Sequence, residues 1–295
     1  MVLKTRVNPD FLNLFVNVIS DQDVCNNKLN LFVLNLQNKK FIYNALLEEL
    51  FEIIIPYALS NSRLEEYSNS YGGKAFVEAT RKLRKHSQNE GELGEILLYS
   101  FLESHLEAPK LLSKLELKTA VNDYVKGADG VHLLRVNEHE YQIIFGESKM
   151  KKSLRDGVYD AFTSINKFIN ESVGYETTLI DSNIIKESVN DEQYNILKSI
   201  LIPQRNASNI EVEHSFGMFL GFELEIDFDE ENIKSKEYKR KIQEASQAQA
   251  ESVLSSIENQ IKSKKLQGYD FYFYLVPFID IKSIRKELIK GLKEL

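Results

Sequence analysis

The stretch GADGVHLLRVNEHEYQIIFGESKMK, residues 127–151, decides the fold. GADGVHLLRV reads as a strand opening at a glycine turn, NEHE (137–140) as a polar hairpin loop, and YQIIFGESKM as the returning strand. Side chains alternate along a strand, so Phe145, Glu147 and Lys149 share one face while Gly146 and Ser148 share the other. A hairpin of this length sets the start of the first strand beside the end of the second. Asp129 therefore falls next to Glu147 and Lys149. Taken alone, Glu147 and Lys149 make a strand-end ion pair, and an Asp before Gly makes a tight turn. Taken together, they offer carboxylate oxygen to a hard divalent cation and a point charge beside it.

Upstream, KLLSKLELKTAV (110–121) reads as a further strand, preceded by a helix in NEGELGEILLYSFLESHL (89–106). Its apolar residues Leu93, Ile96, Leu97, Phe101 and Leu102 follow helical spacing, with Asn89 as a candidate cap. Glu92 and Glu95 stand one turn apart on nearly the same face. Acids in a first turn complement the helix dipole, which accounts for the glutamates. It does not account for Gly91 and Gly94, poor helix formers whose presence predicts close approach to the sheet.

Downstream come a helix over 154–170, a polar stretch over 174–212 without firm periodicity, and the strand SFGMFLGFELEI (215–226). A long charged helix (232–265), the buried strand YDFYFYLVPF (269–278) and a C-terminal helix complete the order. Three consecutive strands before a crossover helix predict an α/β fold, a mixed central sheet flanked by helices. The first 85 residues predict an N-terminal α+β extension: strands in FLNLFVNVIS and LNLFVLNL, a helix over 41–59, a break at SNSYGG, then a basic helix. The expected division is a region 1–85, a candidate partner-docking lobe, and a domain 86–295.

Net charge is −7, so nucleic acid could be held only through a local basic patch. KMKKSLR supplies one, with Lys149, Lys151, Lys152 and Arg155 within seven residues. Such runs also serve simply as solvated surface. The single cysteine, Cys25, excludes an intrachain disulfide framework and a cysteine-based zinc site. The five histidines show no metal-ligand spacing on a helix, and no GxxxxGK[ST] loop offers a nucleotide site. No apolar run reaches membrane-spanning length, and the N-terminus lacks the apolar core of a signal peptide, so a cytoplasmic location is expected.

Acid on a helix, acid at a strand start and acid-x-lysine on the paired strand resemble the PD-(D/E)XK nuclease superfamily, over about residues 89–175. GELGE, GADG and GESK are the matching pieces, with Ala128 where the superfamily pattern has proline. The longer series GELGEILLYSFLE, LLSKLELKTA, GADGVHLL, FGESKM and DAFTSI is similar to HamA, the nuclease subunit family of Hachiman anti-phage defence systems. The resemblance implies a Mg²⁺-dependent deoxyribonuclease, with Mn²⁺ as the alternative ion, that works with a helicase partner, HamB. It implies Asp129, Glu147 and a Ser148 carbonyl as metal ligands, Lys149 orienting or deprotonating the attacking water, and Glu95 completing the site, with Glu92 as the alternate acid. Lys151, Lys152, Arg155, Lys114 and Lys118 are the candidate DNA contacts. The competing reading is a catalytically silent nuclease-like subunit that binds DNA or regulates a partner protein.

Overall fold

The computed structural model describes residues 3–67, 73–86, 91–113, 115, 127–171, 189–201, 210–228 and 232–294. Asn89, residues 68–72 of the SNSYGG break, Lys114, Lys118 and most of the 174–212 stretch lie outside these residues. The hairpin is present as read: β6 (Gly130–Arg135) and β7 (Glu140–Lys151) pair antiparallel, with Val131 opposite Phe145. β5 (Lys110–Ser113) flanks β6. On the other side β7 pairs in parallel with β8 (Glu211–Glu223), and β8 with β9 (Asp270–Phe278).

The sheet does not stop there. β1 (Phe15–Val24) and β2 (Asn27–Leu34) form an antiparallel hairpin, and β2 pairs in parallel with β9. The result is one seven-stranded mixed sheet in the order β1-β2-β9-β8-β7-β6-β5, to which the N-terminal region supplies one edge. A second, two-stranded ribbon joins β3 (Leu36–Gln37) and β4 (Lys40–Phe41). Central strands of such a sheet are buried on both faces and read as continuous apolar runs. β9 fits, with Phe273, Leu275 and Phe278 at 0–1 % exposure and Tyr274 buried beside them.

The helices cover both faces. One layer holds α1 (Tyr43–Ala58), α2 (Asn61–Tyr67), α3 (Gly73–His86) and α4 (Glu92–Ser104). α4 lies closest to the strands: a Cβ on Gly146 of β7 would stand 2.9 Å from Leu98, and one on Gly217 of β8 would stand 2.9 Å from Leu102. α5 (Leu154–Glu171) takes the opposite face, where Phe168 packs on Phe145 and Phe162 on Phe271. After α6 (Asp191–Leu201), α7 (Ser235–Glu251) and α8 (Leu254–Ser263) follow β8, and α9 (Ile281–Lys293) ends the fold. Among the described residues no helix is long and apolar enough to cross a membrane.

Three elements differ from the sequence reading. Residues Pro9–Leu14 form a 3₁₀ turn instead of the start of a strand, with the Asn8 side chain accepting from the Asp10 N–H. α6 occupies part of the stretch that showed no firm periodicity. The long charged helix breaks at Ser252–Val253 into α7 and α8. The buried stripe Tyr238, Ile242, Ser246, Ala250 advances by four, and on a helix of 3.6 residues per turn that stripe drifts about 40° per step. The break realigns Ile257 and Ile261 with the core.

An aromatic cluster ties the two ends of the chain together. Phe101 of α4 lies 4.8 Å from Phe32 of β2 and 5.2 Å from Tyr274 of β9, centroid to centroid, and touches Phe11, Phe15 and Phe219. Phe101→Ala should therefore lower unfolding free energy by about 3–5 kcal/mol. Urea denaturation measures it, and a loss under about 1 kcal/mol would show that the cluster does not hold the N-terminal strands to the core.

Candidate active site

β7 runs six residues longer than β6, 12 against 6, so among the described residues its last N–H groups have no β6 partner on that side. Asp129, one residue ahead of β6, takes up that role. Its N–H donates to the Gly146 carbonyl at 2.8 Å, and its Oδ2 accepts from the Ser148 N–H at 2.7 Å and the Ser148 hydroxyl at 2.8 Å. The turn aspartate is thus fixed against the middle of the GESK segment by three hydrogen bonds.

Glu147 is buried at 5 % exposure, and the Lys149 ammonium donates to its Oε1 at 2.5 Å. This pair occupies the face of β7 that Phe145 uses, toward α5; a Cβ on Gly157 of α5 would come within 4.0 Å of the Lys149 Cβ. Ser148 takes the opposite face, toward α4. There Gly94 lets the helix backbone approach: a Cβ at that position would stand 3.2 Å from the Ser148 Oγ and 3.3 Å from Met150. Of the two glycines of GELGE, Gly94 marks close approach of helix to sheet; Gly91 has only the Glu95 carboxylate near it.

Glu95 and Asp129 line one narrow cleft between α4 and the sheet, with Tyr57, Ser113, His132 and Gly146. Tyr57 comes from the C-terminal turn of α1 and donates to the Glu95 Oε2 at 3.1 Å. Burial pushes the Tyr57 phenol well above its ordinary range, and the carboxylates of Glu95, Asp129 and Glu92 push it further the same way. The phenol is therefore a fixed neutral donor, not a base. Glu92 is buried as well and meets Lys293 of α9 at 3.6 Å. The structure brings Glu95 and Asp129 together in the cleft and places the Glu147–Lys149 pair across β7 from it.

The basic run spans the end of β7, the turn after it and the first turn of α5. Lys151 pairs with Asp160 at 2.7 Å, Lys152 with Glu223 at 3.3 Å, and Arg155 is exposed in the first turn. Lys114 and Lys118 lie outside the described residues.

Three site-forming residues escaped the sequence reading. Tyr57 sits in the apolar run EIIIPYAL, where nothing distinguishes a site phenol from a core ring. Lys110, at 3 % exposure, donates its ammonium to the carbonyls of Pro56 at 2.8 Å, Leu59 at 2.7 Å and Tyr57 at 3.4 Å. A cation at a helix C-terminus satisfies carbonyls that have no partner within the helix. Glu103 of α4 accepts from the backbone N–H groups of Arg6, Val7 and Lys110. The periodicity around these positions, helical for Tyr57 and Glu103 and alternating for Lys110, gave no signal for them.

The donor set is chemically suited to a hard divalent ion: Asp129, Glu95 and Glu147 offer carboxylate oxygen, and Ser148 a backbone carbonyl. Among the described residues no three acidic or imidazole side chains are gathered into a preformed cation cage. His132, fully buried, uses its Nδ1–H on the Ala108 carbonyl at 2.8 Å, which leaves Nε2 as the unprotonated nitrogen of the neutral ring. Burial pulls its pKa down to about 4.

The HamA family model matches residues 9–292, nearly the whole chain. No curated protein gives a match to it.

The depressed His132 pKa makes stability fall with acid. The unfolded ring takes a proton near pH 6.5, the folded ring only near pH 4, so stability is complete above 6.5 and is lost as pH drops toward 4. Urea unfolding should show a loss of about 2 kcal/mol between pH 7.5 and pH 5 that His132→Gln removes. An unchanged pH slope in the variant would contradict the buried neutral ring.

Proposed function

We propose that this chain, which belongs to the HamA family and is thereby a component of Hachiman anti-phage defence, is the deoxyribonuclease of its system. One observation carries the reading. Asp129 is hydrogen-bonded to Gly146 and Ser148, the two residues that flank Glu147 in the GESK strand, and the Glu147–Lys149 pair stands on the other face of that strand. Acid at a strand start and acid-x-lysine on its neighbour form the arrangement that the PD-(D/E)XK resemblance implies.

Asp129 and Glu147, with the Ser148 carbonyl, would hold Mg²⁺, and Glu95 would complete the set; Glu92 is the alternate acid. A divalent ion there supplies Lewis acidity to the scissile phosphate. Each carboxylate already has a protein donor: Ser148 for Asp129, Lys149 for Glu147 and Tyr57 for Glu95. Ion binding would thus release Lys149 from Glu147. The released ammonium is a cation and a donor beside the reacting phosphate, able to orient the attacking water and to stabilise charge growing on the phosphoryl oxygens. Exposed Arg155, with Lys151 and Lys152, would contact the DNA backbone. Such contacts carry little base information, so cleavage has little sequence specificity.

A nuclease with weak specificity must be restrained in its own cell, and we assign that restraint to a helicase partner of the HamB type. The chain's own lack of a Walker-type loop leaves any ATP-driven step to that partner. The second reading, a silent nuclease-like subunit that binds DNA or regulates a partner, is favoured by one observation: the three carboxylates are held by protein donors and, among the described residues, form no preformed cage.

Incubation of plasmid and linear duplex with Mg²⁺, with and without the helicase, separates the two. Wild type should cleave, and Asp129→Asn, Glu147→Gln and Lys149→Met should each lose about 10²–10³-fold in rate while still binding DNA. Cleavage unaffected by all three, or absent from the assembled wild-type complex, would favour the silent subunit.

A further inference from the structure

Among the described residues the N-terminal region lines the candidate cleft with Tyr57, and a buried cation binds the carbonyls of the helix end that carries it. Tyr57 is the second-last residue of α1, and its hydroxyl donates to Glu95 at 3.1 Å. Pro56 lies inside the same helix, so its missing N–H disturbs the hydrogen-bond ladder just before the end. The last carbonyls of a helix have no partner within it, so this turn needs outside support. Lys110 provides it, with its ammonium on the carbonyls of Pro56 and Leu59 at 2.8 and 2.7 Å, and near that of Tyr57 at 3.4 Å.

Burying an ammonium is costly unless its donors are satisfied. A lysine placed only to fill space at the start of β5 would be replaced at no loss by an apolar residue. Its position is also not arbitrary with respect to the site. Lys110 stands opposite His132 in the β5–β6 ladder, so the strand bearing it adjoins the one that Asp129 opens. Its own N–H donates to Glu103 at 2.8 Å, one of the acids on the helix that carries Glu95. The lysine therefore touches all three elements that meet at the cleft: α1 through the carbonyls, α4 through Glu103, and the sheet through β5.

We propose that Lys110 and Tyr57 act as a clamp, in which Lys110 fixes the end of α1 so that the Tyr57 hydroxyl orients the Glu95 carboxylate toward Asp129. Both are positioning residues: neither is placed on the reacting phosphate. The proposal rests on the cation reading of the acids. It assigns the N-terminal region a part in completing the site, beyond contact with a partner. Hydrogen-bonded neighbours of a metal-ligating carboxylate fix its rotamer, and their loss typically weakens metal affinity about 10- to 100-fold.

The test uses the full chain and Mn²⁺ alone as the probe, with free ion read by electron paramagnetic resonance. Tyr57→Phe and Lys110→Met keep the packing volume and delete only the polar groups. Phe101→Leu serves as the stability control, since it loosens the same layer without touching the clamp. Both clamp variants should weaken Mn²⁺ binding about 10- to 100-fold, while Phe101→Leu, at a comparable fall in melting temperature, leaves it unchanged. In Mg²⁺-dependent cleavage the clamp variants should lose kcat with KM for DNA unchanged. Wild-type Mn²⁺ affinity in both clamp variants, alongside a loss in Asp129→Asn, overturns the clamp and leaves the cation reading standing. A parallel weakening in Phe101→Leu overturns it too, by reducing it to general loosening. Absence of Mn²⁺ binding by the wild type overturns the cation reading and the clamp with it.

Discussion

The bond between the Asp129 carboxylate and the Ser148 N–H is where the fold and the candidate chemistry meet. β7 outruns β6, and a buried strand end cannot leave its N–H groups without acceptors. A turn residue with a short acidic side chain is the local solution. That solution sets a carboxylate at the point where one strand stops and its neighbour continues toward the helix layer. Lengthening β6 by a residue or two would satisfy the same N–H through backbone and remove the acid from the site. The mismatch in strand length is therefore part of the site's construction.

Around that point the protein buries an unusual density of charge. Glu92, Glu95, Glu103, Glu147 and Lys110 are all under a tenth exposed. Desolvation of a lone carboxylate disfavours its charged form, as it does for Glu103, whose pKa is raised mainly by burial. Backbone N–H groups of Arg6, Val7 and Lys110 act against that shift. Structural needs explain Glu103 and Lys110, which tie the N-terminal segment, α4 and the end of α1 together. They do not explain Glu95, which meets a neutral phenol and shares a cleft with Asp129. A buried acid without an evident structural task, sharing a cleft with a second carboxylate, marks a candidate functional site.

The hairpin, the register of Asp129 and the Glu147–Lys149 pair were legible because they follow from alternation and loop length over about 25 residues. Gly94 of GELGE was legible for a similar local reason, as a gap where a helix meets a strand, whereas Gly91 faces no strand. Pairing of β2 with β9 was not. Those strands are far apart in sequence, and apolar runs do not state their partners. Alternation also shows that Glu147 and Ser148 part to opposite faces, but not which face α4 covers; it covers that of Ser148. The same limit hid Tyr57, since the path of α1 across α4 depends on the whole sheet being in place. Lys110 read as one polar position in a strand, and only the helix end above it explains its burial.

Anomalous diffraction from crystals of the full chain soaked in Mn²⁺ addresses the central claim most directly. The account predicts a single-ion or two-ion peak with oxygen ligands from Asp129 and Glu147, and the Lys149 ammonium moved off Glu147. Fully soaked crystals with no peak at these carboxylates, and the Glu147–Lys149 pair still closed, would contradict it.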